Sequence, residues 1–142
     1  MRRLAAEIGA TQPVLYSAFP GRRALIDAVV LDGFTAIAEA LEAVPAEPLA
    51  RMRAYLGFAA AHPHLYEAMF SLPSELPFGE AADGPLARAF ATLREAFPDV
   101  GDARAEVAWA TVHGLATLQA SGRLIAPTAM QRLEEAHRML TA

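Results

Sequence analysis

Residues 4–25 read Leu4-Ala-Ala-Glu-Ile-Gly-Ala-Thr-Gln-Pro-Val-Leu-Tyr-Ser-Ala-Phe-Pro-Gly-Arg-Arg-Ala-Leu25. The spacing predicts a short helix, a tight turn, a second short helix and the start of a long one. Leu4 and Ile8 lie one turn apart and share a buried face. Gly9 suits a left-handed residue that ends a helix. Thr11 can cap the next helix, and Pro13 is tolerated in its first turn, where no intrahelical N–H bond is lost. Leu15 and Phe19, four apart, point inward. Gln12, Pro13, Tyr16 and Ser17 are left on the outer face. Two short helices across a glycine turn make a helix-turn-helix, whose second helix enters the major groove of DNA.

Working outward, every regular segment reads as helix. A helix from Arg22 or Arg23 to about Val44 carries Leu25, Ile26, Val29, Val30, Phe34, Ile37 and Leu41 as a wide apolar stripe. Pro45 and Pro48 separate it from Leu49–Ala61, with Leu49, Met52, Leu56 and Ala60 on one face. His62-Pro63 interrupts, and His64–Leu72 is apolar on most sides. Pro73 to Pro85 is rich in proline, glycine and acid and reads as a mobile loop. Leu86–Phe97 is helical, and Asp102 is positioned to cap the helix Ala103–Leu124. One stripe of that helix, Val107, Ala110, Gly114, Thr117 and Ser121, is nearly all small. The adjoining stripe of Ala108, Thr111, Leu115 and Leu118 is more apolar. Pro127 opens a last helix with Met130, Leu133, His137 and Leu140. The fold class is all-α: a partial helix-turn-helix over residues 1–34, then a helical ligand-binding and dimerisation bundle over residues 35–142.

Composition narrows the function. With 54% hydrophobic residues the chain can bury a substantial core. It has no cysteine, which excludes disulfides and thiolate metal sites and fits a reducing cytoplasm. No apolar run spans a bilayer, and no signal-peptide pattern is present. The net charge is −4, unevenly placed. Residues 1–34 hold four arginines against three acids, a net of +1, so the remainder carries −5. That sign suits a DNA-reading end on an acidic body.

The residues Leu4-Ala5, Gly9, Gln12-Pro13, Leu15-Tyr16, Phe19, Arg22 and Ala24-Leu25 resemble the DNA-binding domain of TetR-family transcriptional regulators. Trp109-Ala-Thr-Val-His113-Gly114 resembles the Trp-x-x-x-His-Gly signature in the C-terminal domain of one subgroup of that family. His62-Pro63 and Leu65-Tyr66 fit the same subgroup. The resemblance implies a homodimeric repressor that binds a double-stranded operator and responds to a small effector. Family members carry a further helix before the position of Leu4. An in-frame extension of about thirty to forty residues upstream of Met1 is therefore expected, enough for one helix and a basic arm. A dimeric ligand-binding module that has lost DNA binding is the alternative.

The implied DNA contacts are Arg2, Arg3, Thr11, Gln12, Pro13, Tyr16, Ser17 and Arg22. Gln12 can hydrogen-bond base edges, Pro13 with Val14 can meet a thymine methyl, and Thr11, Tyr16 and Arg22 can reach phosphates. The expected effector pocket lies between the helices Leu49–Ala61, His64–Leu72 and Ala103–Leu124. Phe58, Tyr66, Met69, Phe70 and Trp109 supply its walls, and His113 and Tyr66 its polar groups. No arginine or lysine falls on those inner faces, so a neutral or weakly polar hydrophobic molecule is expected. The last two helices, with their small and apolar stripes, are expected to form a two-fold, four-helix dimer interface. The four histidines show no metal or haem spacing, and no nucleophile sits in a recognisable triad context, so no cofactor, no metal and no enzymatic activity are expected.

Overall fold

A computed structural model describes residues 21–142. The helix-turn-helix and the residues Arg2, Arg3, Thr11, Gln12, Pro13, Tyr16 and Ser17 lie outside the described residues. Within them the chain is all-helical: α1 (Arg22–Glu42), α2 (Pro48–Ala61), α3 (Pro63–Ser71), α4 (Gly84–Arg94), α5 (Gly101–Ala120) and α6 (Ala129–Thr141). Short 3₁₀ turns at Gly79–Ala81 and Ala126–Thr128 precede α4 and α6. No described helix is long and apolar enough to cross a membrane.

Proline sets three of the starts. Pro48 and Pro63 open α2 and α3, and Pro85 sits in the first turn of α4. Each lacks an N–H where no intrahelical bond would use one. The segment between α3 and α4 is therefore shorter than the expected 73–85 loop, and its last proline is helical. It is also tied down: the Ser74 hydroxyl donates to Asp27 at 2.7 Å, and Arg23 pairs with Glu75. α5 ends at Ala120, earlier than Leu124. Gly122, at φ 71°, takes the left-handed position that closes the helix. Its N–H reaches the Gln119 carbonyl at 3.1 Å and the Arg123 N–H the Leu118 carbonyl at 2.9 Å, the double bond of a Schellman motif. Asp102 is not the cap of α5; Val100 is. Asp102 lies in the first turn and accepts from Arg94 Nε at 2.6 Å, which fastens the end of α4 to the start of α5.

α1 packs against α4, α3 and α2, while α5 and α6 pack on α2. The whole apolar stripe of α1 is buried as its spacing predicted. α2 turns a different face inward. Its buried residues are Arg51, Met52, Tyr55, Phe58 and Ala59, while Ala60 is exposed and Leu49 and Leu56 are half-buried. α5 buries Ala105, Ala108, Val112 and Ala116, small residues that leave room for the rings of α2.

Gly33 shows how closely α1 and α3 approach. A β-carbon there would lie 2.5 Å from Cγ of buried Met69. Gly33→Ala should therefore destabilise by about 1 kcal/mol, overpacking outweighing the gain in helix propensity. Gly57→Ala, with nothing within 4 Å, should instead stabilise by up to about 1 kcal/mol. Urea unfolding of both variants checks the pair; equal signs would refute the packing argument.

Candidate ligand site

Three helices bring four polar rings into one chain of hydrogen bonds. Trp109 Nε1 on α5 donates to Tyr55 Oη on α2 at 3.0 Å. Tyr55 Oη lies 2.7 Å from Tyr66 Oη on α3, and Tyr66 Oη lies 2.6 Å from His113 Nδ1 on α5. The indole can only donate. One order gives every hydroxyl hydrogen an acceptor: Tyr55 donates to Tyr66, and Tyr66 donates to His113 Nδ1. The imidazole is then neutral and carries its proton on Nε2, an assignment made from the network. The reverse order would leave the Tyr55 hydroxyl hydrogen with no acceptor in a buried site.

The electrostatics agree. Burial pushes the Tyr55 hydroxyl up to about 12, and burial raises Tyr66 further. Burial also holds His113 below its ordinary 6.5. A histidine so depressed binds its proton more readily when unfolded. Stability should therefore rise with pH through this range, and be lost as pH falls below about 6.5 until the folded imidazole is itself protonated. His113→Gln should flatten that part of the profile. Melting curves between about pH 5 and 7 that match the parent's would contradict this.

On the outer side of His113 lies a cleft of about 430 Å³ between α2, α3 and α5. Tyr66, Phe70 and His113 line it, with Ala59, Pro63, Ala116 and Ala120 as further apolar wall and Glu67, Ser71, Thr117 and Ser121 as polar edge. The Phe70 ring lies 4.4 Å, centroid to centroid, from the His113 ring, tilted 51° to it. The cleft can hold a small, mostly apolar molecule and offer it one imidazole N–H.

The expected site residues separate. Tyr66, Phe70 and His113 share the cleft. Phe58 and Met69 are buried in the core, Phe58 against His62 and Met69 beneath Gly33. Trp109 opens on a different cleft, between α1, α4 and α5, which the 73–83 segment also borders. Arg22 stands exposed at the head of α1. Among the described residues no group of three or more His, Asp or Glu could hold a metal ion. Sequence reasoning missed Tyr55, the hinge of the polar chain. The signal was its place three residues after Met52 and three before Phe58, on the true inner face of α2.

The family model described as tetracyclin repressor-like, C-terminal domain, matches residues 48–142. Two solved structures are similar over nearly the whole chain. One is a protein of unknown function from Rhodococcus sp. RHA1, 29% identical, with TM-score 0.63, covering 98% of this chain and 81% of that one. The other is the proposed regulatory protein SCO4313, 20% identical, with TM-score 0.71, covering 96% of this chain and 81% of that one. No curated protein is a significant match.

Proposed function

Because the chain belongs to the tetracyclin repressor-like family through residues 48–142, we propose that it is a DNA-binding transcriptional regulator, acting as a repressor, whose grip on its operator is changed by a small hydrophobic effector. The family match is the observation that carries this reading. The Tyr66–Phe70–His113 cleft supports the effector part, since its size and lining suit a neutral, weakly polar ligand. Binding that favours one arrangement of the body over another would shift the spacing of two recognition helices. The reading gives the cleft no catalytic role.

A homodimer completes the proposal. Val107 is 56% exposed and Leu118 41% on α5, and Met130 is 48% exposed on α6. On α5, Val107, Ala110, Gly114 and Leu118 fall at helical spacing on one side, which a second copy would cover together with α6. The two-fold axis would set the recognition helices about 34 Å apart, one turn of DNA.

A gel-shift of the full-length protein, with any segment encoded upstream of Met1, on genomic fragments tests the reading. Retardation should be sequence-selective and weaken steeply with salt. Arg22→Ala should lower the salt slope by about one unit. Gln12→Ala should reduce discrimination between sites by about 1–3 kcal/mol. Sedimentation should show a dimer that Leu118→Arg converts to monomer. A dimer that never retards DNA, even at low salt, would replace this reading with the ligand-binding module alone.

A further inference from the structure

The second cleft has a chemistry of its own. It measures about 600 Å³, within the range of sites for drug-sized molecules. Its floor is aromatic: Phe34 from α1, Phe90 from α4 and Trp109 from α5, with Phe78 reaching in from the segment before α4. Phe78 stands edge-on to Phe34 at 5.8 Å, and Phe90 lies 6.0 Å from Trp109. Phe78 remains 44% exposed, an apolar ring held at the mouth. The rim is acidic on two sides. Glu80 stands on the Phe78 side, and Glu106 and Asp102 stand on α5. Arg94 already neutralises Asp102. No basic residue lines the cleft.

We propose that this cleft is a binding site for a hydrophobic organic cation, its apolar body on the Phe34, Phe90 and Trp109 rings and its positive charge between Glu80 and Glu106. The site is separate from the His113 cleft. Two physical arguments select a cation. The electron-rich faces of tryptophan and phenylalanine attract positive charge within about 6 Å of the ring centroid. Two carboxylates at the edge of an apolar hollow raise the local potential for cations and repel anions. A neutral apolar ligand would use the floor but leave both carboxylates partly desolvated and without a counter-charge. An extended peptide would not match a hollow closed by α1 on one side and α5 on the other.

Tetraphenylphosphonium and tetraphenylborate have nearly the same shape and opposite charge, so they isolate the electrostatic part. Trp109 is the only tryptophan of the chain, and its emission reads occupancy directly. The phosphonium ion should quench it saturably, with a Kd at least about tenfold tighter than that of the borate. Glu80→Gln with Glu106→Gln should bring the two ions to within about twofold, which separates the rim from the overall negative charge of the protein. Phe78→Ala should weaken both ions. Equal affinity of the two ions for the parent, discrimination that survives the double glutamine variant, or Phe78→Ala binding as the parent does would each overturn the proposal. The readout is binding alone, so it stands or falls independently of any DNA-binding result.

Discussion

Replacing Arg51 by alanine is expected to lower the unfolding free energy by about 3 kcal/mol, and the melting temperature by roughly 10 °C. Arg51 is only 4% exposed. Its Nη1 donates to the Thr92 carbonyl at 2.6 Å, and its Nε to the Pro45 and Val44 carbonyls at 3.1 and 3.3 Å. Glu95 lies 3.4 Å away but is mostly exposed, so the carbonyls hold this arginine more than the ion pair does. These acceptors follow α1 and lie in the last turn of α4, where helix carbonyls lack intrahelical donors and a positive charge is favoured. One guanidinium thus satisfies the ends of two helices from the first turn of a third. Alanine would leave the Val44 and Thr92 carbonyls without this donor and a void in the place of the side chain, while the Pro45 carbonyl keeps the Glu47 N–H at 2.8 Å. Arg51→Met would refill much of the volume and still lose the donors, at about 2 kcal/mol. Arg51→Lys should behave like methionine, because a point charge cannot reproduce the planar fork. Urea unfolding at neutral pH decides it. A loss below about 1 kcal/mol for the alanine variant would mean that water satisfies these carbonyls instead.

Tyr66→Phe is the second large effect, at about 2 kcal/mol. The substitution changes no packing volume of consequence, yet it removes the middle of the polar chain. The Tyr55 hydroxyl hydrogen then has no acceptor, and His113 Nδ1 loses the donor that stabilised the neutral ring. Two readouts follow. Stability should fall, and the pKa of His113, followed by NMR, should move up toward its ordinary value, because a hydrogen bond to the neutral form has gone. Adding Tyr55→Phe should recover part of the loss, since it deletes the stranded hydroxyl. It would not recover all, because Trp109 then donates to nothing. Strict additivity of the two single changes, or an unmoved His113 titration in Tyr66→Phe, would show that the three groups do not act as one network. His113→Ala should alter the response to a ligand in the 430 Å³ cleft while leaving that of the Trp109 cleft in place.

Much of the helical plan was legible in the residues alone. The stripe of α1 needed only its spacing, because a helix with apolar residues at Leu25, Val29, Ile37 and Leu41 has one face to bury. The breaks at Pro48 and Pro63 needed only the missing N–H. The pairing of Tyr66 and Phe70 with His113 was also within reach, since an aromatic helix and a histidine among small residues are complementary.

What the residues alone left undecided depended on neighbours that no local pattern names. On α2, Leu49, Leu56 and Ala60 form as good a stripe as the one actually buried. Arg51 and Tyr55 were chosen because carbonyls of distant segments and the Trp109 indole satisfy their polar atoms. On α5, neither of the two stripes picked out by spacing is the one that faces inward; of their residues only Ala108 is buried. The rings of α2 decided for Ala105, Ala108, Val112 and Ala116 and turned Val107 and Leu118 outward. Trp109 shared a pocket with His113 by sequence reasoning, being four residues and one turn away. The indole instead stands at the far end of the polar chain, bonded to Tyr55 and 6.0 Å from Phe90. Periodicity reports that a side chain is turned toward the interior; which cavity it meets there is set by the volumes that the other helices have already filled.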